Sequence, residues 1–128
     1  MGNVYSSFSS HSFDVLQGKI MTGADVVLIN TLVEGEQDCL IKSTVLASKE
    51  TEFMNELLNK NKKKEIIIYG KNHKDLKVIQ KYNQLKKLGF TEVFIYFGGL
   101  FEWLLLQEVY GEMNFPTDGK VKDLLRYK

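Results

Sequence analysis

Glu65-Ile66-Ile67-Ile68-Tyr69-Gly70-Lys71-Asn72-His73-Lys74-Asp75 is the stretch whose reading decides the fold. Its apolar, mostly β-branched run between polar flanks has the character of a strand buried on both faces. A short polar loop follows, and then Leu76, Ile79, Tyr82, Leu85 and Leu88 recur at helical spacing. Asp75 is the expected N-cap of that helix, and Gly89 stands where a left-handed residue closes it. Upstream, Val26-Val27-Leu28-Ile29 repeats the buried-strand pattern. Downstream, Thr91 to Tyr96 is the next strand, broken by Gly98-Gly99 before a helix from about Leu100 to Tyr110 that stops at Gly111. Strands alternating with helices predict an α/β fold with a central, mostly parallel sheet and helices on both faces.

The rest of the chain fits around this unit. Residues 1–12 are rich in Ser and Asn without a hydrophobic period and read as a flexible leader, leaving 13–128 as a single domain. Phe13, Leu16 and Ile20 have the spacing of one helical face. Leu40 to Leu46 is a weaker strand candidate. After Ser48, the positions Phe53, Met54, Leu57 and Leu58 predict a helix that ends in Asn59-Lys60-Asn61-Lys62-Lys63-Lys64. Lys60, Lys62, Lys63 and Lys64 then read either as a solvated helix end favoured by the macrodipole or as a patch facing a partner.

Composition removes several classes of function. A length of 128 residues with 44% apolar residues suits one domain with its own core. The net charge of +1 offers no global field for nucleic acid. A single cysteine, Cys39, leaves neither an internal disulfide framework nor a clustered-thiolate zinc site and fits a reducing, cytoplasmic setting. His11 and His73 have no second ligand at metal spacing, so neither a metal nor another cofactor is expected. The apolar runs are too short to span a bilayer.

In open parallel sheets, ligands sit beyond the carboxyl ends of the strands, where loop amides and a helix N-terminus converge on an anion. Gly70 to Asp75 is in that place. Here the sequence resembles the rhodanese-like family, in which an apolar strand ends in Tyr-Cys and the loop continues to an Arg at the helix start. Val27-Leu28-Ile29-Asn30 resembles the family's first core strand with its acidic end changed to Asn. Leu40-Ile41-Lys42-Ser43-Thr44 lies where the family has a His-Ile-Pro-Gly-Ala stretch and matches it poorly. Leu88-Gly89-Phe90-Thr91-Glu92-Val93, running into Gly98-Gly99-Leu100-Phe101-Glu102-Trp103, is similar to the family's last strand and following helix. The resemblance covers residues 13–117 and implies sulfurtransferase ancestry.

At the loop itself the chain departs from that pattern. Gly70 stands where the resemblance places the persulfide-forming cysteine and can neither attack nor carry sulfur. Asp75 replaces the anion-binding arginine, and His73 replaces a glycine. The resemblance with these departures implies an inactive sulfurtransferase, a pseudoenzyme whose degenerate loop Gly70, Lys71, Asn72, His73, Lys74 and Asp75 serves binding of a protein partner or a structural role. The alternatives are a sulfurtransferase using Cys39 as an unconventional nucleophile, and a domain that binds anions or phospholipids. Cys39 reads as a buried structural thiol and His73 as an exposed loop residue. Trp103, in a Leu-rich helix, is expected in the core. A second signal lies at the N-terminus: Met1-Gly2 followed by Ser6 satisfies the N-myristoylation pattern. Acylation of Gly2, with Lys60 to Lys64 as the second attachment signal, would place the protein at a membrane surface.

Overall fold

The computed structural model describes residues 7–128. The Met1-Gly2…Ser6 pattern lies outside the described residues. The elements run α1 (Phe13–Met21), β1 (Val26–Asn30), β2 (Leu40–Ile41), β3 (Thr44–Val45), α2 (Ala47–Lys60), β4 (Glu65–Tyr69), α3 (Lys77–Leu88), β5 (Val93–Tyr96), α4 (Gly99–Tyr110) and β6 (Thr117–Asp118), with short 3-10 turns at Glu34–Glu36 and Leu124–Tyr127. The main sheet has the order β3-β1-β4-β5, and every pairing in it is parallel. The expected α/β architecture is the observed one.

Strand periodicity builds two cores. Val27, Ile29, Ile66, Ile68, Val93 and Ile95 point to one face, where Met54 of α2 and Val78, Tyr82 and Leu85 of α3 cover them. Leu28, Ile67, Tyr69 and Tyr96 point to the other, against Leu16 of α1 and Leu100, Trp103 and Leu104 of α4. A strand covered on both faces needs apolar residues at every position, which is why β1 and β4 carry no alternation. On α3 the buried stripe is Val78, Tyr82 and Leu85, whereas Leu76 precedes the helix and Leu88 ends it, both exposed.

Two expectations are corrected. Leu40 to Leu46 is two short strands, because Ser43 adopts a left-handed backbone (φ 70°) that turns the chain between them. β2 then pairs antiparallel with β6, a strand with no pattern of its own, while β3 joins the main sheet. Nor do Ser9 to His11 form part of the expected free leader: Ser10 bridges Ile95 in parallel, with the Ile95 amide donating to Ser9 O and the His11 amide donating to Ile95 O. Phe8 sets its ring edge-on to Tyr82 at 5.2 Å, and His11 stacks on Phe94 at 4.1 Å. A Ser-rich segment carries no hydrophobic period, so backbone pairing with an open sheet edge leaves no signal in its sequence.

Beside this segment, Glu65 accepts hydrogen bonds from His11 Nε2 at 2.8 Å and Lys19 Nζ at 3.0 Å. Burial pushes its carboxyl up, but the two hydrogen bonds and their charges outweigh that and hold it below the usual carboxylate value of 4.5. A depressed carboxylate contributes stability that is present above the unfolded pKa and lost as pH falls through the folded one. In urea unfolding, Glu65→Gln should cost about 0.5–1 kcal/mol near neutrality. It should also show a shallower loss of stability than wild type on acidification below about pH 5. Parallel acid limbs in the two proteins would mean that Glu65 is not the group responsible.

Candidate functional site

β4 delivers Tyr69 and Gly70 to the carboxyl end of the sheet, where the chain bends back into α3. The bend is held from three sides. Gly70 O and Lys71 O accept from the amides of Leu100 and Phe101 at 2.9 Å each, so the loop lies on the start of α4. Gly99 permits this approach, since a Cβ there would stand 2.8 Å from Asn72 Cα on a backbone of φ +73°. Asn72 Oδ1 accepts from the Lys74 amide at 2.8 Å, and its Nδ2 donates to Tyr127 O at 2.9 Å, tying the loop to the C-terminal segment. Gly98-Gly99 is therefore the seat of the loop as well as a strand breaker.

Asp75 occupies the inside of the bend. Its Oδ2 accepts from Thr31 Oγ1 at 2.9 Å and from the Lys71 amide at 3.2 Å, and its Oδ1 accepts from the Lys77 amide at 3.0 Å. The last of these ties Asp75 to the first residue of α3, but the N-cap position is Leu76 and not the expected Asp75. The first two turn the carboxylate onto Gly70: a Cβ on Gly70 would lie 2.5 Å from Asp75 Oδ2 and 2.9 Å from its Cβ and Cγ. The carboxylate thus takes up the space of a side chain at position 70 and engages the Lys71 amide that faces it. In chemical terms the cradle already holds an anion, and that anion belongs to the chain.

Around the bend lies a shallow cavity of about 210 Å³ between Leu32, Glu36, Lys71 and Lys74. Lys71 Nζ pairs with Glu36 at 3.3 Å, while His73 and Lys74 are exposed. A neighbouring groove of about 520 Å³ runs from Asn30 and Thr31 past Ala47 to Gln80 and Gln84. Asn30, at the end of β1, is buried. Its Nδ2 donates to Gln37 Oε1 at 3.1 Å and Val45 O at 3.2 Å, and its Oδ1 accepts from Gln37 Nε2 at 2.8 Å and the Leu32 amide at 3.0 Å. Sequence reasoning missed Thr31 and Glu36; a polar pair just past a buried strand end was the available signal.

Cys39 is not among the residues that line this bend. It is fully buried in the core that also holds Tyr69, Trp103 and Tyr127, with Sγ 3.8 Å from Gly119 O. Burial pushes its thiol up, which keeps it protonated and unreactive. The lysine run is divided: Lys60, Lys62 and Lys63 are exposed, whereas Lys64 turns inward and pairs with Asp25. Among the described residues no His, Cys, Asp and Glu cluster could hold a metal ion, and no helix is long and apolar enough to cross a membrane.

Residues 25–106 match the family model described as "Rhodanese-like domain". Among solved structures, the crystal structure of the Alr3790 protein from Anabaena sp. aligns with TM-score 0.65 at 22% identity, over 91% of this chain and 86% of that one. The BH2092 protein from Bacillus halodurans aligns with TM-score 0.66 at 18% identity, over 89% and 79%. A variant of EanB, in complex with ergothioneine covalently linked with a persulfide, aligns with TM-score 0.62 at 17% identity, over 88% of this chain and 28% of that one. At these identities the likeness is one of fold. No curated protein matches the chain.

Proposed function

The chain belongs to the rhodanese-like domain family, and from that premise we propose that it is a non-catalytic member, a pseudoenzyme that works by binding a protein partner or as a structural component. The observation that carries this reading is the Asp75 carboxylate set against Gly70. Sulfur transfer needs a thiolate that attacks the sulfane sulfur of thiosulfate, releases sulfite and passes the sulfur on from the resulting persulfide. At this bend there is no thiol, and an incoming anion would meet a fixed negative charge. Cys39 is the remaining thiol, and burial both hides it and keeps it protonated.

Wild-type protein should form no thiocyanate from thiosulfate and cyanide above a denatured control, and Cys39→Ala should be indistinguishable from it. Turnover that disappears in Cys39→Ala would overturn the reading and make Cys39 the nucleophile. The partner-facing surface of this reading is the cavity at Lys71 and Lys74 with the adjoining groove. Acylation of Gly2 belongs to the same proposal and places the module in the cytoplasm at a membrane surface. Co-expression with an N-myristoyltransferase should remove Met1 and add one myristoyl mass, and Gly2→Ala should abolish the addition. An unmodified intact mass beside an active transferase would remove the acylation reading and leave the binding module standing.

A further inference from the structure

We propose that the end of the sheet carrying Lys60, Lys62, Lys63, Lys86 and Lys87 is a docking surface for an anionic lipid membrane, with acylated Gly2, as read above, supplying the anchor. These lysines come from two separate stretches of sequence and are brought together by the fold. The Thr91 amide donates to Lys62 O at 3.2 Å, and Lys86 Nζ donates to Thr91 O at 3.2 Å. The Lys62 side chain runs past Gly89, its Nζ 3.7 Å from where a Cβ of Gly89 would be. Lys60 closes α2 and Lys87 lies in the last turn of α3. All five are exposed, as is Leu88 between them, whereas Lys64 and Lys19 are withdrawn into pairs with Asp25 and Glu65. Glu56 and Glu92 are exposed carboxylates close to them in sequence, two against five lysines.

Because every strand of the main sheet is parallel, α2 and α3 both end here, and the negative ends of their dipoles account for Lys60, Lys86 and Lys87 one at a time. They do not account for Lys62 and Lys63, which lie in the connection to β4. The N-terminal segment arrives at the same place. The Ser9 amide donates to Tyr82 Oη at 3.4 Å, Phe8 packs on the Tyr82 ring, and Lys86 Nζ stands 6.0 Å from the centre of that ring. Gly2 lies six positions before Phe8, a chain reach of at most about 20 Å, so these lysines are within reach of an acyl chain on Gly2. One myristoyl chain alone holds a protein only marginally, and a polybasic patch is the second signal that makes the attachment stable. An exposed leucine among the lysines, with Tyr82 and Phe90 buried beside them, favours a lipid surface over single-stranded nucleic acid, for which exposed aromatic rings would be the stacking platform.

The test uses the full chain carrying a myristoyl amide on Gly2, made by chemical ligation so that it does not depend on recognition by a transferase. Sedimentation with vesicles of phosphatidylcholine alone, or with roughly one third phosphatidylserine, should show at least about tenfold tighter binding to the anionic vesicles, a preference that salt erases. Lys62→Gln/Lys63→Gln/Lys86→Gln should lose that preference, at about fivefold per lysine, and keep the weak binding due to the acyl chain. Lys120→Gln/Lys122→Gln, which removes charge elsewhere on the surface, should retain it. Equal binding by the triple variant and wild type, a preference insensitive to salt, or tighter lysine-dependent binding to a single-stranded RNA than to the anionic vesicles would overturn the proposal. If a transferase leaves Gly2 unmodified while the ligated protein binds through its lysines, the acylation reading fails and the surface stands.

Discussion

Gly70→Cys should leave the protein without measurable sulfurtransferase activity, while Gly70→Cys/Asp75→Arg should exceed it by about 10–100-fold. In the single variant the new Cβ meets the Asp75 carboxylate at 2.5 Å, so Asp75 must swing away and give up its bonds to Thr31 and the Lys71 amide. A carboxylate that stays nearby raises the pKa of the new thiol and repels thiosulfate, suppressing both nucleophile and substrate. Arginine at position 75 takes the carboxylate out of that space and reverses the field, freeing the Lys71 amide to face the persulfide; its Cβ still meets the new one at 2.9 Å, a contact that a small backbone shift must relieve. Gly70→Cys/Asp75→Ala separates the two causes, because it removes the carboxylate without supplying a cation and keeps the 2.9 Å Cβ contact common to all three variants, and its rate should fall between the others. If Gly70→Cys alone matches the arginine double variant, Asp75 is not what closes this loop.

Trp103→Ala should lower the unfolding free energy by about 3–5 kcal/mol, a large share of the stability of an ordinary domain. Trp103 is fully buried and meets Phe115 at 5.0 Å and Tyr96 at 6.2 Å, both edge-on. Its Nε1 donates to Pro116 O at 3.1 Å, but that carbonyl also accepts from the Lys42 amide. The cost therefore comes from the cavity more than from an orphaned acceptor. The damage should also spread to the loop. α4 seats the loop through Leu100 and Phe101, and the segment ending at Tyr127 holds Asn72, so amide exchange at Gly70 to Lys74 should quicken along with that of α4. Trp103→Phe should cost markedly less. A loss below about 1 kcal/mol for the alanine variant would show that α4 is not docked as described.

The sequence by itself determined the main layers. Runs such as Val26 to Ile29 and Ile66 to Tyr69 leave no polar side to face water, so each had to become a central strand covered by helices, and the helical spacing of Leu76, Ile79, Tyr82, Leu85 and Leu88 announced a cover, although the residues it buries are Val78, Tyr82 and Leu85. That Gly70 offers no nucleophile was legible for the same local reason: a residue without a side chain has none to offer in any fold. What only the tertiary structure decided involves partners far apart in the chain. Ser43 divides a strand, and Thr117 and Asp118 pair with one half of it, although neither stretch has a period. The placement of Phe8 to His11 on β5 depends on backbone groups, which are the same in every sequence. Asp75 was expected as a helix cap, but the N-cap position is Leu76, and the contact of Asp75 with Thr31, 44 positions earlier, turns the carboxylate onto Gly70. The lysine run was visible as one cluster, yet the fold removes Lys64 to Asp25 and brings Lys86 beside Lys62 across the Gly89–Thr91 turn. Periodicity reports which side of an element is covered; which charge meets which depends on closing long loops, and no local pattern records it.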